Sequence, residues 1–319
     1  MGTYIIRRLL LIIPTVWIVT LIIFFMIRLI PGTVVDLMGA EFQQVSQAQM
    51  GTQAIEHALG LDKPILTQYG HWIGNMILHG DLGNSLWKGT PVINDILKRW
   101  PVTVELGLMG IIISQLIALP IGIYSAIRQD TWGDYLARSF AILSLSIPTF
   151  WLATMVIVLP SIWWNYAPPL TYIPFNVDPV GNLKMFIIPA VVLSLSMAGA
   201  IMRMVRTMML EVMRQDYIRT AWAKGLKERV IVFRHAIKNA LIPVVTILGG
   251  QLTLLVGGTV IIENIFQLPG MGQLVLSAAT NRDYTVITAV MLIFAVGLVF
   301  INLTVDLTYG FLDRRIQYR

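Results

Sequence analysis

Side chains that could carry acid–base, nucleophilic or metal chemistry are few in this chain. The sequence has no cysteine, which excludes disulfides, thiolate metal sites and thiol nucleophiles together. The histidines do not show the spacing of metal ligands, such as His-Glu-x-x-His; they are His57, His71, His79 and His235. No Ser/His/Asp constellation falls among the long apolar segments. The residues therefore predict neither an enzyme nor a metal site.

Nucleotide-binding chemistry is also missing from the sequence. The chain lacks the Gly-x4-Gly-Lys-Ser/Thr loop that cradles phosphates, so any ATP must bind to another protein. Polar residues inside the apolar segments are few, chiefly Glu105, Gln115, Asn302 and Asp306. A proton-coupled transporter normally places several ionisable groups near the middle of the membrane. This scarcity counts against a secondary transporter or channel that acts without an ATPase, which is kept only as the alternative function.

The polar segment from Arg203 to Lys238 has the most informative spacing. Ala221 and Gly225 are four residues apart, hence on one face of a helix, and both lack bulk. Such a small pair lets another helix approach closely, and the glycine allows the backbone to turn. The segment predicts a helix–turn–helix elbow at the membrane surface. A basic interfacial helix held by anionic lipid is an equal alternative.

The elements that must position this segment are apolar helices. Of the 319 residues, 56% are hydrophobic and 13% charged, with a mean hydropathy of +0.73, whereas a soluble domain carries about a quarter charged residues. Roughly 20 apolar residues cross the hydrocarbon core, and in lipid they must form helices. Six segments qualify: Leu9–Ile27, Leu106–Ile127, Ser139–Trp164, Met185–Met202, Asn239–Ile262 and Tyr284–Val305. The first is expected to be retained, because its run is too long for a signal peptide.

Lys and Arg residues predict the orientation. With the N-terminus inside, sixteen of the 23 lie on the cytoplasmic side, nine of them between Arg203 and Lys238, and six lie outside. Both termini are therefore predicted to be cytoplasmic, and the net charge of +6 reflects topology rather than nucleic-acid binding. Aromatic residues at the outer interface agree with this orientation: Trp163, Trp164 and Tyr166.

The predicted organisation is all-α and has four parts. Residues 1–30 are the N-terminal cytoplasmic end and first helix, and 31–100 an external helical loop that is either a connector or a cap for a partner or pore entrance. Residues 101–312 are a transmembrane core and 313–319 a cytoplasmic tail. The core contains a coupling loop at 206–238 and helices at about 104–127, 139–164, 185–205, 239–262 and 284–312.

Several stretches of the sequence are similar to a known family. DYIRTAWAKGL followed by RHAIKNALIPV resembles the cytoplasmic loop of B-type permease subunits of bacterial dipeptide and oligopeptide ABC importers. The similarity covers nearly the whole chain in order. Its other parts are IIRRLLLIIPTVWIVTLIIFFMIRLIPG, LGLDKPILTQY, HGDLGNSLWKGTPVINDILKRWPVTVEL, ENIFQLPGMGQLVLSAATNRDY and NLTVDLTYGFLDRRI.

The resemblance implies a type-I ABC importer permease fold and a role for the elbow. In that superfamily the loop carries Glu-Ala-Ala-x3-Gly; here Arg219, Thr220, Ala221 and Gly225 take those places, and Lys238 stands where a proline is expected. The family's coupling helix docks in a cleft of the ATPase subunit. That role is carried over to the matching residues Asp216, Tyr217, Arg219, Thr220, Ala221, Lys224 and Gly225.

The resemblance also implies the partners and the location. They are a C-type permease subunit, one or two ABC ATPase subunits that hold ATP and Mg, and an extracytoplasmic solute-binding protein. The chain itself would hold no cofactor and would lie in the cytoplasmic (inner) membrane. Di- or oligopeptides are the expected substrate, while related importers also carry glutathione, nickel chelates and sugars.

Two further patterns in the apolar segments leave alternatives open. Small residues in the fifth segment allow close approach at a pore or gate, or plain helix–helix packing: Gly249, Gly250, Gln251, Gly257 and Gly258. Prolines at four places are either bending points or simply tolerated in membrane helices: Pro120, Pro148, Pro189 and Pro243.

Overall fold

The computed structural model describes residues 2–28, 63–165, 167, 169 and 171–312. In these ranges the regular structure is helical, apart from one isolated β-bridge between Asn84 and Pro91. The all-α prediction is confirmed. The helices are α1 (Gly2–Arg28), α2 (Ile65–His79), α3 (Val92–Ile127), α4 (Trp132–Ser146), α5 (Thr149–Trp164), α6 (Pro179–Met213), α7 (Asp216–Ala223), α8 (Glu228–Val230), a π-helical segment (Ile231–Ala236), α9 (Ile237–Ile265), α10 (Met271–Thr280) and α11 (Tyr284–Leu312).

Four of the described helices are long and apolar enough to cross a membrane. They contain the windows Arg8–Met26, Val92–Ile127, Pro179–Met213 and Tyr284–Val305. A fifth crossing is added if α4 and α5 together form one bent span. The remaining predicted segment, Asn239–Ile262, lies within the 29 residues of α9. The chain is thus built to pass through a membrane several times.

The predicted third span is not one straight helix. Its two parts, α4 and α5, meet at 96°. Pro148 precedes α5, and Ile147 before it is extended at φ −83° and ψ 120°. A proline lacks the N–H needed to continue the helix and disfavours helical geometry in the residue before it, so the break falls there. Helices continue through Pro120, Pro189 and Pro243.

Helix α3 begins at Val92, earlier than the expected start near residue 104. Val92 and Ile96, one turn apart, are both buried, which explains why the helix extends into the predicted external loop. Within that loop the structure describes α2 and a turn closed by the bond from the Val92 N–H to the Gly83 carbonyl, 3.0 Å. Residues 31–62 of the loop, residues 29 and 30 before it, and the predicted tail at 313–319 lie outside the described residues.

The chain divides into two compact units. The first contains residues 1–5, 102–268 and 300–319. Its core forms around α6, which packs mainly against α4 and α9. One apolar cluster in this unit includes Ile201, Met209, Ile218 and Ile231, and another includes Leu106, Phe186 and Ile262.

The second unit contains residues 6–101 and 269–299. Phe24 of α1 is buried against the rings of Tyr69 and Trp72 of α2, with centroids 5.2 and 5.7 Å away. The Ser85 hydroxyl donates to the buried Asp283 carboxylate over 2.6 Å. These contacts join α1 to α2, and the turn after α2 to the start of α11.

Candidate functional site

The polar segment after α6 folds into the predicted helix–turn–helix, called here the elbow (residues 216–230). Its first helix, α7, spans only eight residues, Asp216–Ala223. A helix this short is unstable alone and depends on packing. Ile218 and Ala221, three residues apart on one face, are 0% and 6% exposed and lie in the apolar core of the first unit. Packing of this face fixes α7 against the rest of the protein.

Gly225 ends α7 through its backbone conformation. Its φ is +75°, in the left-handed region that favours glycine. The Gly225 N–H donates to the Trp222 carbonyl over 2.9 Å, and the Leu226 N–H to the Ala221 carbonyl over 3.3 Å. This pair of bonds is the Schellman motif, and Leu226 packs against the same core cluster as Ala221. The predicted turning role of Gly225 is confirmed.

The two small residues of the elbow do not share one exposed surface. Ala221 faces the chain's own core, so its small side chain serves internal packing. A Cβ added at Gly225 would meet no described atom within 4 Å. The expected small pair is therefore split, because the helix ends between the two residues and the chain reverses at Gly225. Only Gly225 remains accessible to another protein.

The exposed residues of α7 combine charges with two large aromatic side chains, one on each side of its buried face. Tyr217 is 42% exposed and Trp222 46% exposed. Such rings are enriched at protein interfaces, where they contribute much of the binding energy. Trp222 was missed in the sequence, although its type and its place within the motif were a visible signal. The other exposed residues of the predicted coupling set are Asp216, Arg219, Thr220, Lys224 and Gly225.

Two polar contacts tie the elbow to neighbouring helices. The Asn239 side-chain amide of α9 donates to the Tyr217 hydroxyl over 2.8 Å. Arg128, just after α3, pairs with Glu228 of α8 at 3.2 Å. The Tyr217–Asn239 bond joins an exposed residue of α7 directly to the long helix α9. Asn239 was read from the sequence only as the start of an apolar segment.

A π-helical segment connects the elbow to α9, and the sequence did not predict it. Ile231, Val232 and Ala236 in this segment are all buried. π-Helical turns are rare and occur often at functional sites. Here the wider turn places three apolar side chains in the core directly after the elbow.

A buried ion pair lies two turns before the end of α6. Arg206 donates through Nε to Asp134 Oδ1 and through Nη2 to Asp134 Oδ2, each over 2.8 Å. Asp134 is 0% exposed and also accepts from the Ser125 hydroxyl and, over 3.0 Å, from the Asp130 N–H. The pair joins the ends of α3, α4 and α6. Its members are 72 residues apart in sequence, so spacing alone could not reveal it.

The small residues of α9 fall into two kinds. A Cβ at buried Gly249 would lie 2.6 Å from Val305 Cγ1, and one at Gly258 would lie 3.2 Å from Leu193 Cδ1. A Cβ at Gly250 or Gly257 would meet nothing within 4 Å. Gln251 is half-buried. Gly249 and Gly258 therefore allow helix–helix contact, while a role for this stretch in a pore or gate stays a prediction.

Two family models match the chain. Residues 118–318 match the model described as binding-protein-dependent transport system inner membrane component, and residues 1–107 match the N-terminal model of such membrane components. The chain belongs to this family of transport components. It is therefore a multi-pass protein of the inner membrane, in agreement with its apolar helices.

Curated relatives of this transport component align over the full length. A peptide transport system permease protein of Brucella abortus strain 2308 is 38% identical over 318 residues, covering 100% of both chains. The dipeptide transport system permease protein DppB of Escherichia coli K12 is 36% identical over 345 residues, again covering 100% of both.

Solved structures share the fold of this transport component. The MetNI methionine ABC transporter in an inward-facing conformation matches with a TM-score of 0.56 and 19% identity, covering 69% of this chain and 97% of that one. An amino acid ABC transporter matches with a TM-score of 0.54 and 12% identity, covering 68% and 94%. At these identities the likeness shows the ABC importer permease fold.

Within the described ranges, the transport component has no group of three or more His, Asp or Glu side chains placed to hold a metal ion. No residue is assigned as a metal ligand.

Proposed function

We propose that this chain is the transmembrane permease subunit of an ATP-driven ABC importer of di- or oligopeptides. It forms half of the translocation pathway and couples to separate ATPase subunits. The observation that carries the proposal is the full-length similarity to peptide and dipeptide transport permeases. The comparisons favour this function and give no support to the alternative of a channel or secondary transporter.

The proposal assigns ATP chemistry to other subunits. The chain carries no phosphate-cradling loop, so ATP and Mg²⁺ bind in one or two ABC ATPase subunits and this chain is not an enzyme. A C-type permease supplies the other half of the pathway, and an extracytoplasmic solute-binding protein delivers the peptide. The exposed aromatic and charged face of α7 supports docking of the ATPase there.

The distribution of Lys and Arg supports an orientation with both termini in the cytoplasm. Sixteen of the 23 basic residues then lie inside and six outside. The elbow lies in the most basic of the inner segments, so this orientation places α7 on the side where ATP is available. The orientation inferred from charge therefore agrees with the proposed docking of the ATPase on α7.

Two sets of contacts could transmit motion of α7 into the membrane helices. Ile218 and Ala221 bury one face of α7 in the core around α6 and α9, and Tyr217 is bonded to Asn239 at the start of α9. The Asp134–Arg206 pair then joins α6 to α4. Close-packed interiors resist compression, so displacement of α7 is passed on rather than absorbed.

A matched pair of glycine variants tests the coupling role. Gly225 and Gly80 each follow a helix with positive φ, +75° and +64°, and a Cβ at either would meet open space. Gly225→Trp and Gly80→Trp therefore carry the same backbone strain and the same bulk. In vesicles containing both permeases, the ATPases and the binding protein, we expect Gly225→Trp to abolish ATP-driven dipeptide uptake and ATPase association, and Gly80→Trp to retain both.

The same vesicles separate the proposal from its alternative. Equal uptake by the two variants would remove the coupling role of the elbow. Accumulation of dipeptide by this chain alone, without ATPase subunits, would refute the importer function altogether.

A further inference from the structure

An open cavity lies between α4 and α6 at the end of the first unit that carries the ion pair. Its volume is about 140 Å³. Ala141, Ile142, Leu145 and Met202 form much of its wall. Apart from Arg206, whose ion pair joins α6 to α4, the residues that line this cavity have no role in the proposed function.

One end of the cavity is strongly basic. Arg138, Arg203 and Arg206 all line it, and no carboxylate does. The charge of Arg206 is neutralised by the buried Asp134 carboxylate, which does not line the cavity. Arg138 reaches that carboxylate only at 3.9 Å and lies over the Tyr135 ring at 4.6 Å.

Arg203 adds a second available charge. It is exposed, and none of the described carboxylates forms an ion pair with it. Two guanidinium groups at the mouth are therefore available to an anion. Guanidinium matches phosphate in both charge and hydrogen-bond geometry.

The basic end lies at one edge of the apolar layer. Arg138 directly precedes the apolar segment that starts at Ser139, and Arg203 directly follows the one that ends at Met202. Trp132 and Tyr135, 84% and 48% exposed, lie beside this edge, where aromatic rings collect at membrane–water interfaces. Toward the membrane interior, α4 exposes only apolar large side chains such as Phe140 and Leu143.

We propose that this cavity binds an anionic phospholipid of the surrounding membrane. The headgroup phosphate is bound by Arg138 and Arg203, and an acyl chain lies along Ile142 and Leu145. Basic pockets between membrane helices recognise such headgroups. Free phosphate would use the charges but leave the apolar wall uncovered, so the combination of the two favours a lipid. A bound lipid would brace α4 against α6, close to the bend at Pro148.

Native mass spectrometry of the assembled transporter, in nanodiscs of phosphatidylglycerol and phosphatidylcholine, tests the proposal. Each arginine near the membrane surface contributes about fivefold in affinity, so Arg138→Gln with Arg203→Gln should lower retained phosphatidylglycerol by about 25-fold. The control, Arg229→Gln with Arg234→Gln, removes two exposed charges outside the cavity, in α8 and the π-helical segment, and should change retention by less than about twofold.

Further arms of the experiment distinguish other occupants. Excess inorganic phosphate should not displace the lipid, and displacement would overturn the acyl-chain part of the proposal. Because the chain has no cysteine, a photo-cross-linker can be attached to purified Thr207→Cys chain at one site on the cavity wall before the transporter is assembled. Adducts with phosphatidylglycerol support the proposal. Adducts with another subunit, equal retention of lipid by the two double variants, or no lipid adduct would refute it.

Discussion

Small residues occur in two regions of the first unit, the elbow and the helix α9, and they serve different purposes. In α9, Gly249 is small because Val305 lies against it, and Gly250 beside it faces open space. In the elbow, Ala221 is small because the core encloses it, whereas Gly225 is glycine because of its φ of +75°. In α9, the small residue Gly249 allows two helices to approach closely. In the elbow, Ala221 allows packing in the core and Gly225 allows the backbone to reverse.

The comparison shows that spacing identifies small residues but not the reason for their size. Ala221 and Gly225 are four apart, which on a continuous helix would place them on one surface. The Schellman motif ends the helix between them, and they separate. Substitution can distinguish the three reasons for small size. Bulk added to a closed core, a clash between two helices and a strained φ lower the free energy of unfolding by different amounts.

The largest effect is expected from Ala221→Leu. Three added carbons in a closed core should lower the free energy of unfolding by about 3 kcal/mol. Thr220→Leu is the matched control, since Thr220 is exposed and its hydroxyl bonds only within α7, to the Asp216 carbonyl. Thermal unfolding of the purified complex should give a lower Tm for the first variant and a nearly unchanged Tm for the second. Equal Tm values would mean that Ala221 is not enclosed.

A smaller loss of stability against unfolding is expected from Gly249→Ala. Its Cβ would lie 2.6 and 2.8 Å from the two methyl groups of Val305, and this β-branched side chain has little freedom to move. The expected cost is about 2 kcal/mol. Gly250→Ala, one residue later with nothing within 4 Å, should instead stabilise the helix by about 0.5 kcal/mol. Tm shifts of the same sign for the two variants would contradict the packing of α9 described above.

The smallest loss is expected from Gly225→Ala, because strain rather than a clash is involved. An L-residue in the left-handed region costs about 1 kcal/mol. Gly225→Asn should recover part of this, since asparagine tolerates that region better. Denaturant midpoints of wild type, Asn and Ala should fall in that order. An Ala variant as stable as wild type would show that the turn changes its conformation freely.

Much of the fold could be predicted because the relevant signals are local. Long apolar runs require helices in lipid, and a glycine after a short amphipathic stretch predicts the end of α7. Whether a helix breaks or continues at a proline could not be predicted from the local sequence. The helix continues through Pro189, which lies between buried Phe186 and Ala190, and also through the exposed Pro120, whereas it breaks before Pro148. Burial of the surroundings therefore does not by itself distinguish the three prolines.

The candidate site was predicted in place but not in orientation. Ile218 and Ala221, three residues apart, mark the apolar side of α7, but the sequence of α7 does not show that the core around α6 and α9 covers this side. The contacts of Tyr217 with Asn239 and of Asp134 with Arg206 likewise arise between elements that are distant in sequence. Pairings of this kind depend on the completed fold, so no short motif marks them.

The enclosed pair of Asp134 and Arg206 also restricts how sequences related to this one can diverge. Loss of Arg206 leaves the Asp134 carboxylate, which is 0% exposed, without its main partner at a cost of about 3–5 kcal/mol, and loss of Asp134 leaves a partly buried guanidinium unpaired. Replacing both by apolar residues of similar volume can be neutral. Single changes at either position are thus disfavoured intermediates. Descendants of this chain are expected to keep both residues or to exchange both together, so the two positions should covary during evolution.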